Sequence, residues 1–351
     1  MFFTFILLVT AYYFYDKNQK KIELKRHSSK RLVVDVPTFN IEDIISVKSK
    51  KDIKIVRDLL VKFIWHRDEL PLDVSRIQKI EVEDVEGQSD EWYEVEMPYQ
   101  VNSIIRFYKG VNSECLNILH NGHTTQNGGW EPLTEFMIAM KGQGCDLVYM
   151  NMPLHADNNR PEVLIKGFGI MELRDHKHLQ MIESQDFTFI RYFLEPVLQV
   201  VNFFDDYKNY KSINLIGHSG GGWTTVLYAA LDERIKKSVS HAGSLPLFIR
   251  SVKPYKPLAD AEQVYMPLLR IANYLDLYVL GTSHGRSQLN IYNEYDNCCF
   301  AGSESNKVYE PEIKNIVSQW GGEFEVYISK GHKSHAPSSE SLSYIHKYFE
   351  K

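Results

Sequence analysis

The stretch Ile213–Trp223, INLIGHSGGGW, sets a serine among glycines where an apolar run stops. Gly217-His218-Ser219-Gly220-Gly221 satisfies the pattern G-x-S-x-G. Acyl-transfer chemistry has a specific use for that pattern. A serine held on a sharp strand-to-helix turn exposes its hydroxyl at the edge of a sheet, and glycines two residues before and after it leave room for neighbouring backbone. The residue after the serine offers its N–H at a helix N-terminus, where a developing anion is stabilised. Five residues alone are a weak signal, because glycine-flanked serines also make ordinary turns. The context strengthens it: the apolar INLI precedes and TTVLYAAL, a helix former, follows. The run Gly220–Gly222 lacks the Lys-Ser/Thr of a phosphate loop, so no nucleotide is expected. Trp223 is expected to pack in the core rather than to meet substrate.

A serine so placed needs a sheet to carry it. From Cys115 onward, CLNILHNGH reads as a strand ending in a glycine loop, and EPLTEFMIAM as a helix with Pro132 in its first turn. CDLVYMNMP, SINLIGH and KKSVSHAGS read as further strands, separated by the helical DFTFIRYFLEPVLQVVNFFDDY and GGWTTVLYAALDERI. This alternation predicts an α/β fold: a mostly parallel central sheet with helices on both faces. Upstream, Arg76–Glu83, Trp92–Met97 and Val101–Tyr108 alternate and predict opening antiparallel strands. Before them, Ile55, Leu59, Leu60, Phe63 and Ile64 recur near helical spacing and predict a leading helix within 51–76, ended by Pro71. The alternation pauses over residues 244–285, then resumes with QLNIYNEYD, EPEIKNIVSQW, EFEVYIS and SSESLSYIHKYFE. The pause reads as an insertion over the carboxyl end of the sheet, where ligands bind in open α/β folds, or as surface decoration. In MPLHADNNRPE, His155, Asp157 and Asn158 either meet polar groups of a substrate or belong to an ordinary polar loop.

On the elbow and the strand order together, residues 77–351 resemble the α/β-hydrolase superfamily. The resemblance implies an acid after the second strand following the elbow and a histidine after the last strand, in the chain order Ser, Asp/Glu, His. Asp296, just past QLNIY, stands in the acid's place, where a carboxylate fixes the imidazole tautomer and stabilises its cation. Glu294 competes, since alternation points both to one side; Asp296 lies further into the loop and is preferred. VYISKGHKSHAPSSESL holds His332 and His335. His335 directly precedes the last helix, as the family's histidine does, and is preferred as the general base. His332 remains a loop residue or substrate contact. A metal shared by His332 and His335 is not expected, because no third ligand stands at motif spacing. The oxyanion donors implied are the N–H groups of Gly220 and His123, with Gly122 in the family's glycine place and Thr124 next in line. Asn121 stands where the family carries a histidine, and His120 is shifted by one.

The expected activity is a serine hydrolase, most directly a carboxylesterase working through an acyl-enzyme, with no metal or organic cofactor. Its substrate would be a small-molecule, glycan or lipid ester. The elbow does not distinguish an amide or a thioester. The alternatives from other classes are a membrane-tethered binding protein with a retired site and a metal-dependent hydrolase using His332 and His335.

Composition agrees with a folded enzyme. Of 351 residues, 44% are hydrophobic, enough for a sizeable core, and 13% are aromatic, which argues against disorder over most of the chain. A net charge of −5 gives no case for a nucleic-acid partner. Cys115, Cys145, Cys298 and Cys299 are too few for a disulfide scaffold, and no C-x-x-C pair points to structural zinc. The adjacent Cys298 and Cys299 are expected to pack as small apolar residues. The first fifteen residues, MFFTFILLVTAYYFY, carry no charge and are followed by DKNQKKIELKR. That is short of the about 20 residues a spanning helix needs. It reads as an uncleaved anchor, a signal peptide, or a helix lying on the domain. Tyr12, Tyr13 and Tyr15, followed by Lys17, Lys20 and Lys21, favour the anchor. The protein is therefore expected to be membrane-associated through residues 1–15, with its body on the cytoplasmic side if the positive-inside bias holds; secretion is the alternative. Residues 16–50 are expected to be a polar linker and 51–351 the hydrolase domain.

Overall fold

A computed structural model describes residues 39–82, 89–111, 114–123, 131–251, 259–296, 298–301 and 304–351. The leading helix is α1, Lys50–Trp65, started by Ser49, whose side chain accepts from the Asp52 N–H. It stops at His66, which takes a left-handed conformation, before Pro71 is reached. Its buried stripe is Ile53, Val56, Leu60 and Ile64, while Ile55 and Leu59 face outward. The predicted opening strands are β1 (Ile77–Ile80), β2 (Glu91–Glu96) and β3 (Asn102–Tyr108), paired antiparallel. There follow β4 (Cys115–His120), α2 (Glu131–Lys141) and β5 (Asp146–Met150). A separate antiparallel hairpin, β6 (Glu162–Ile165) and β7 (Gly169–Glu172), precedes α3 (Arg191–Lys208). The alternation then runs β8 (Ser212–His218), α4 (Gly220–Leu231), β9 (Ile235–His241), α5 (Tyr274–Thr282), β10 (Ser287–Asn293), α6 (Glu310–Ser318), β11 (Glu323–Ser329) and α7 (Ser339–Glu350).

The main sheet has the order β1-β2-β3-β5-β4-β8-β9-β10-β11. β3 meets β5 antiparallel; from β5 to β11 every neighbour is parallel. Strand alternation sends Leu215 of β8 to one face and Ile216 to the other. On the first face Leu215 joins the large core built with α1, α3, α4 and α5; on the second, Ile216, Leu119 and Val239 meet Phe136 of α2 and Ile345 of α7. Each such aliphatic side chain contributes about 1.5–3 kcal/mol by leaving water. β8 is thereby buried from both sides, which fixes the height at which its last residues emerge.

The interval read as an insertion at 244–285 divides in two. The described residues before Asn273 include short helical turns at Leu247–Arg250, Glu262–Val264 and Met266–Leu269, whereas α5 is buried along its whole length and is the crossover helix that a parallel β9–β10 pair requires. The stretch read as a linker is packed where it is described. Ile41, Ile45 and Val47 are buried, and the N–H groups of Ser46 and Val47 donate to Asp276 Oδ1 at 2.7 and 3.1 Å. The cysteines also depart from expectation. Cys298 and Cys299 are joined to each other, Cys299 also packing against the large core, and Cys115 is bonded to Cys145, stapling the start of β4 to the residue before β5. Among the described residues no helix is long and apolar enough to cross a membrane, and the apolar stretch 1–15 lies outside them.

Candidate active site

Ser219 is the residue between β8 and α4, at φ 54° and ψ −122°. A non-glycine residue held there costs about 1–3 kcal/mol and persists only where its surroundings over-determine it. They do so here. Ser219 N donates to His241 O at 2.9 Å, and Trp223 N donates to Ser219 O at 3.1 Å. A Cβ at Gly217 would lie 2.1 Å from Gly221 O, and one at Gly221 would lie 2.1 Å from His120 O. Both glycines of the motif are therefore steric necessities. Trp223 is buried edge-on against Phe193, at 5.4 Å between ring centres, as a core residue.

The preferred acid and base converge on this serine. His335 Nε2 lies 2.8 Å from Ser219 Oγ, and His335 Nδ1 lies 2.8 Å from Asp296 Oδ2. Asp296 is only 5% exposed. Burial pushes its carboxyl up, but the His335 hydrogen bond and charge outweigh this and hold it below the usual value. The N–H groups of Cys298 and Cys299 help, donating to Oδ1 at 2.7 and 3.2 Å. An ionised Asp296 only accepts, so His335 Nδ1 carries the proton and Nε2 turns its lone pair to the hydroxyl. Phe300 stacks parallel to the His335 ring at 6.1 Å.

The alternates serve the loop that presents His335. Glu294 Oε2 accepts from Gly331 N at 2.9 Å, and the His332 carbonyl accepts from Tyr295 N at 3.1 Å. Both ring nitrogens of His335 are engaged, by Asp296 and Ser219, which leaves none for a metal shared with His332. Asn293, not singled out from sequence, clamps the same loop: its Nδ2 donates to Ser334 O at 2.8 Å and Ala336 O at 2.9 Å, on either side of His335.

The loop after β4 lies against the elbow. A Cβ at Gly122 would come within 2.6 Å of Ser219 Cβ, so only glycine allows this approach. The Gly122 N–H donates to Asn121 Oδ1 at 2.7 Å, and Asn121 Nδ2 is anchored on Tyr149 and Asn151. His123 comes next, and its ring rests on Gly220, where a Cβ would be 3.0 Å from the nearest ring carbon. Gly220 and His123, the two expected oxyanion donors, are thus neighbours. Thr124 lies outside the described residues.

Behind the elbow, His218 Nδ1 and His241 Nδ1 stand 2.9 Å apart, both buried. Burial, followed by the nearby His335, holds the two rings far below the ordinary histidine value, His241 at about 3. A second histidine group flanks the elbow: His123, His155 and His176, with Glu262 beside them. Sequence spacing carried no sign of it, since His123 and His176 are 53 residues apart and Glu262 a further 86. The polar loop after β5 separates by role. Asp157 pairs with Arg106 at 2.6 Å and Asn158 caps backbone of β3 and Met152, while His155 joins the histidine group. The 244–273 segment supplies Glu262 and, with Phe39 and Ile44, walls an apolar cavity of about 430 Å³ lined by Leu247, Met266 and Tyr274.

No protein-family model matches this sequence, and no curated protein matches it significantly. Solved structures do resemble it. Acetyl Xylan Esterase 1 from Thermoanaerobacterium sp. JW/SL YS485 superposes with a TM-score of 0.54 at 14% identity, covering 90% of this chain and 98% of its own. The acetyl xylan esterase from Paenibacillus sp. R4 gives 0.52 at 15% identity, covering 90% and 99%. At such identities the likeness concerns the fold. With the strand order above, it shows that the chain has the α/β-hydrolase fold.

Proposed function

We propose that this chain is a serine hydrolase that cleaves carboxylic esters through an acyl-enzyme. The observation that carries this reading is the unbroken relay from Ser219 Oγ to His335 to Asp296, with both contacts at 2.8 Å, on a strained strand-to-helix turn. His335 Nε2 takes the hydroxyl proton as Oγ bonds to the acyl carbon. The carbonyl oxygen gains the negative charge and is received by the N–H groups of Gly220 and His123, a donor of this kind being worth about 2.7–4 kcal/mol. Collapse breaks the C–O bond to the alcohol, and His335 returns the proton to the leaving oxygen. Water then attacks the acyl group, giving its proton to His335; the carboxylic acid leaves and Ser219 is restored.

Ester rather than amide is favoured because the two superposed proteins above are esterases, and acetylated sugars are the first class to test. The Cys115–Cys145 bond supports an oxidising compartment, and so the secreted or outward-facing alternative over a body in the cytoplasm. The test is hydrolysis of nitrophenyl acetate and acetylated xylo-oligosaccharides by wild type and Ser219→Ala. Turnover should fall by about 10⁴-fold or more in the variant. Equal rates would return the chain to the binding-protein class.

A further inference from the structure

The histidine group beside the elbow has the form of a metal site. His123 Nε2 lies 3.0 Å from His176 Nδ1, His176 Nδ1 lies 3.2 Å from Glu262 Oε1, and His123 Nε2 lies 3.8 Å from Glu262 Oε1. The three atoms make a scalene triangle whose edges of 3.0, 3.2 and 3.8 Å bracket a mean of about 3.3 Å. Ligand atoms about 2.0–2.1 Å from a tetrahedral zinc ion stand about 3.3 Å from one another. The His155 ring is centred 5.1 Å from that of His123 and 5.3 Å from that of His176, edge-on to both. Its ring nitrogen falls within 4.8 Å of theirs.

Proton accounting points the same way. His176 Nε2 lies 3.1 Å from Pro153 O, which only accepts, so Nε2 holds the proton and Nδ1 of the neutral ring is a lone pair. This is the outer-sphere arrangement that fixes a ligating histidine's tautomer. That lone pair faces a carboxylate oxygen and a second imidazole nitrogen. One extra proton on His176 Nδ1 would satisfy one of the two and leave the other facing it. Glu262 adds an independent sign. It is completely buried, and its second oxygen, Oε2, meets no hydrogen-bond donor among the described residues. A buried carboxylate left half-satisfied is costly unless a cation neutralises it. Asp260 lies 3.9 Å from the other nitrogen of His123, adding negative charge behind it.

We propose that His123, His176 and Glu262, with His155 in the fourth position, bind a divalent transition-metal ion of the zinc type. Imidazole nitrogens with one carboxylate suit zinc, and suit magnesium or calcium poorly. The ion would join three stretches otherwise far apart in the chain: the loop after β4, the connection from β5 to α3, and the segment before α5. Since the His123 ring rests on Gly220, the ion would hold the backbone next to Ser219 in place. The relay through His335 does not involve it, so this proposal stands or falls separately from the esterase reading.

The test uses the full chain, loaded with excess Zn²⁺ or Co²⁺ and desalted, with metal measured by mass spectrometry and Co²⁺ geometry by visible absorption. Wild type and Ser219→Ala should each keep about one ion per chain, with the intense cobalt bands of tetrahedral coordination. His123→Ala and Glu262→Gln should bind at least about tenfold more weakly. Because His123 is partly exposed, His123→Ala decides the matter if Glu262→Gln does not fold, with circular dichroism confirming the fold of each. Wild type that keeps no stoichiometric metal would overturn the proposal. So would equal retention by His123→Ala, or weak octahedral cobalt bands shared by all variants.

Discussion

Serine is a weak nucleophile near neutral pH, so the role proposed for Ser219 depends on what faces its hydroxyl. In this chain that is the lone pair of His335, fixed because Asp296 accepts from the opposite nitrogen. The geometry makes Asp296→Asn a sharp probe. The Asn oxygen can still accept from the Cys298 and Cys299 N–H groups, but its amide would donate to His335 Nδ1 and turn an N–H toward Ser219. We expect kcat for ester hydrolysis to fall by about 10⁴-fold with the fold intact by circular dichroism. A drop smaller than tenfold would mean that Asp296 does not set the tautomer. At this scale the sequence was readable where chain order constrained it. The contacts join His335 to Asp296 and Ser219, and set Glu294 and the His332 carbonyl in the neighbouring loop. His176 and Glu262 were not readable, because residues 86 positions apart meet only through the fold.

At the scale of elements, the elbow is a crowding problem solved by absent side chains. The β8–α4 turn lies so close to the loop after β4 that a methyl group at Gly221 would sit 2.1 Å from His120 O. Gly221→Ala should destabilise the protein by about 1–3 kcal/mol or more, as overpacking does. Gly142→Ala is the control: its nearest neighbours would be carbonyl oxygens 3.5 Å away, and the change should stay within about 0.5 kcal/mol. Urea midpoints of the two variants check this; equal effects would show that the close approach is not real. The periodic stretches made the strands and long helices legible, including the antiparallel opening of the sheet. Less legible were features set by tertiary contact. Residues 41–47 look like linker, yet Ile45 and Val47 are buried where Asp276 of α5 accepts from the Ser46 and Val47 N–H groups. Of the apolar residues whose spacing predicted α1, Ile55 and Leu59 lie on its outward face.

Taken whole, the molecule buries uncharged histidines, and that has a cost in acid. His120 is held at about 4 and His241 at about 3, each by burial, and His218 is displaced the same way. In the unfolded chain they bind protons near about 6.5. Between the folded and unfolded values the unfolded chain holds more protons, so stability is full above about pH 6.5 and declines as pH falls toward 4. Each group contributes a slope of at most about 1.4 kcal/mol per pH unit. We expect the urea midpoint to drop between pH 7 and pH 5, and His120→Gln to flatten that drop by about one proton. An unchanged slope would place His120 in contact with water. The central claim is tested most directly by labelling the folded protein with a fluorophosphonate and mapping the adduct by mass spectrometry. A serine-hydrolase role predicts one adduct, on Ser219, absent from Ser219→Ala and slowed in Asp296→Asn. A folded wild-type protein that takes no label, or takes it at another residue, would contradict that role.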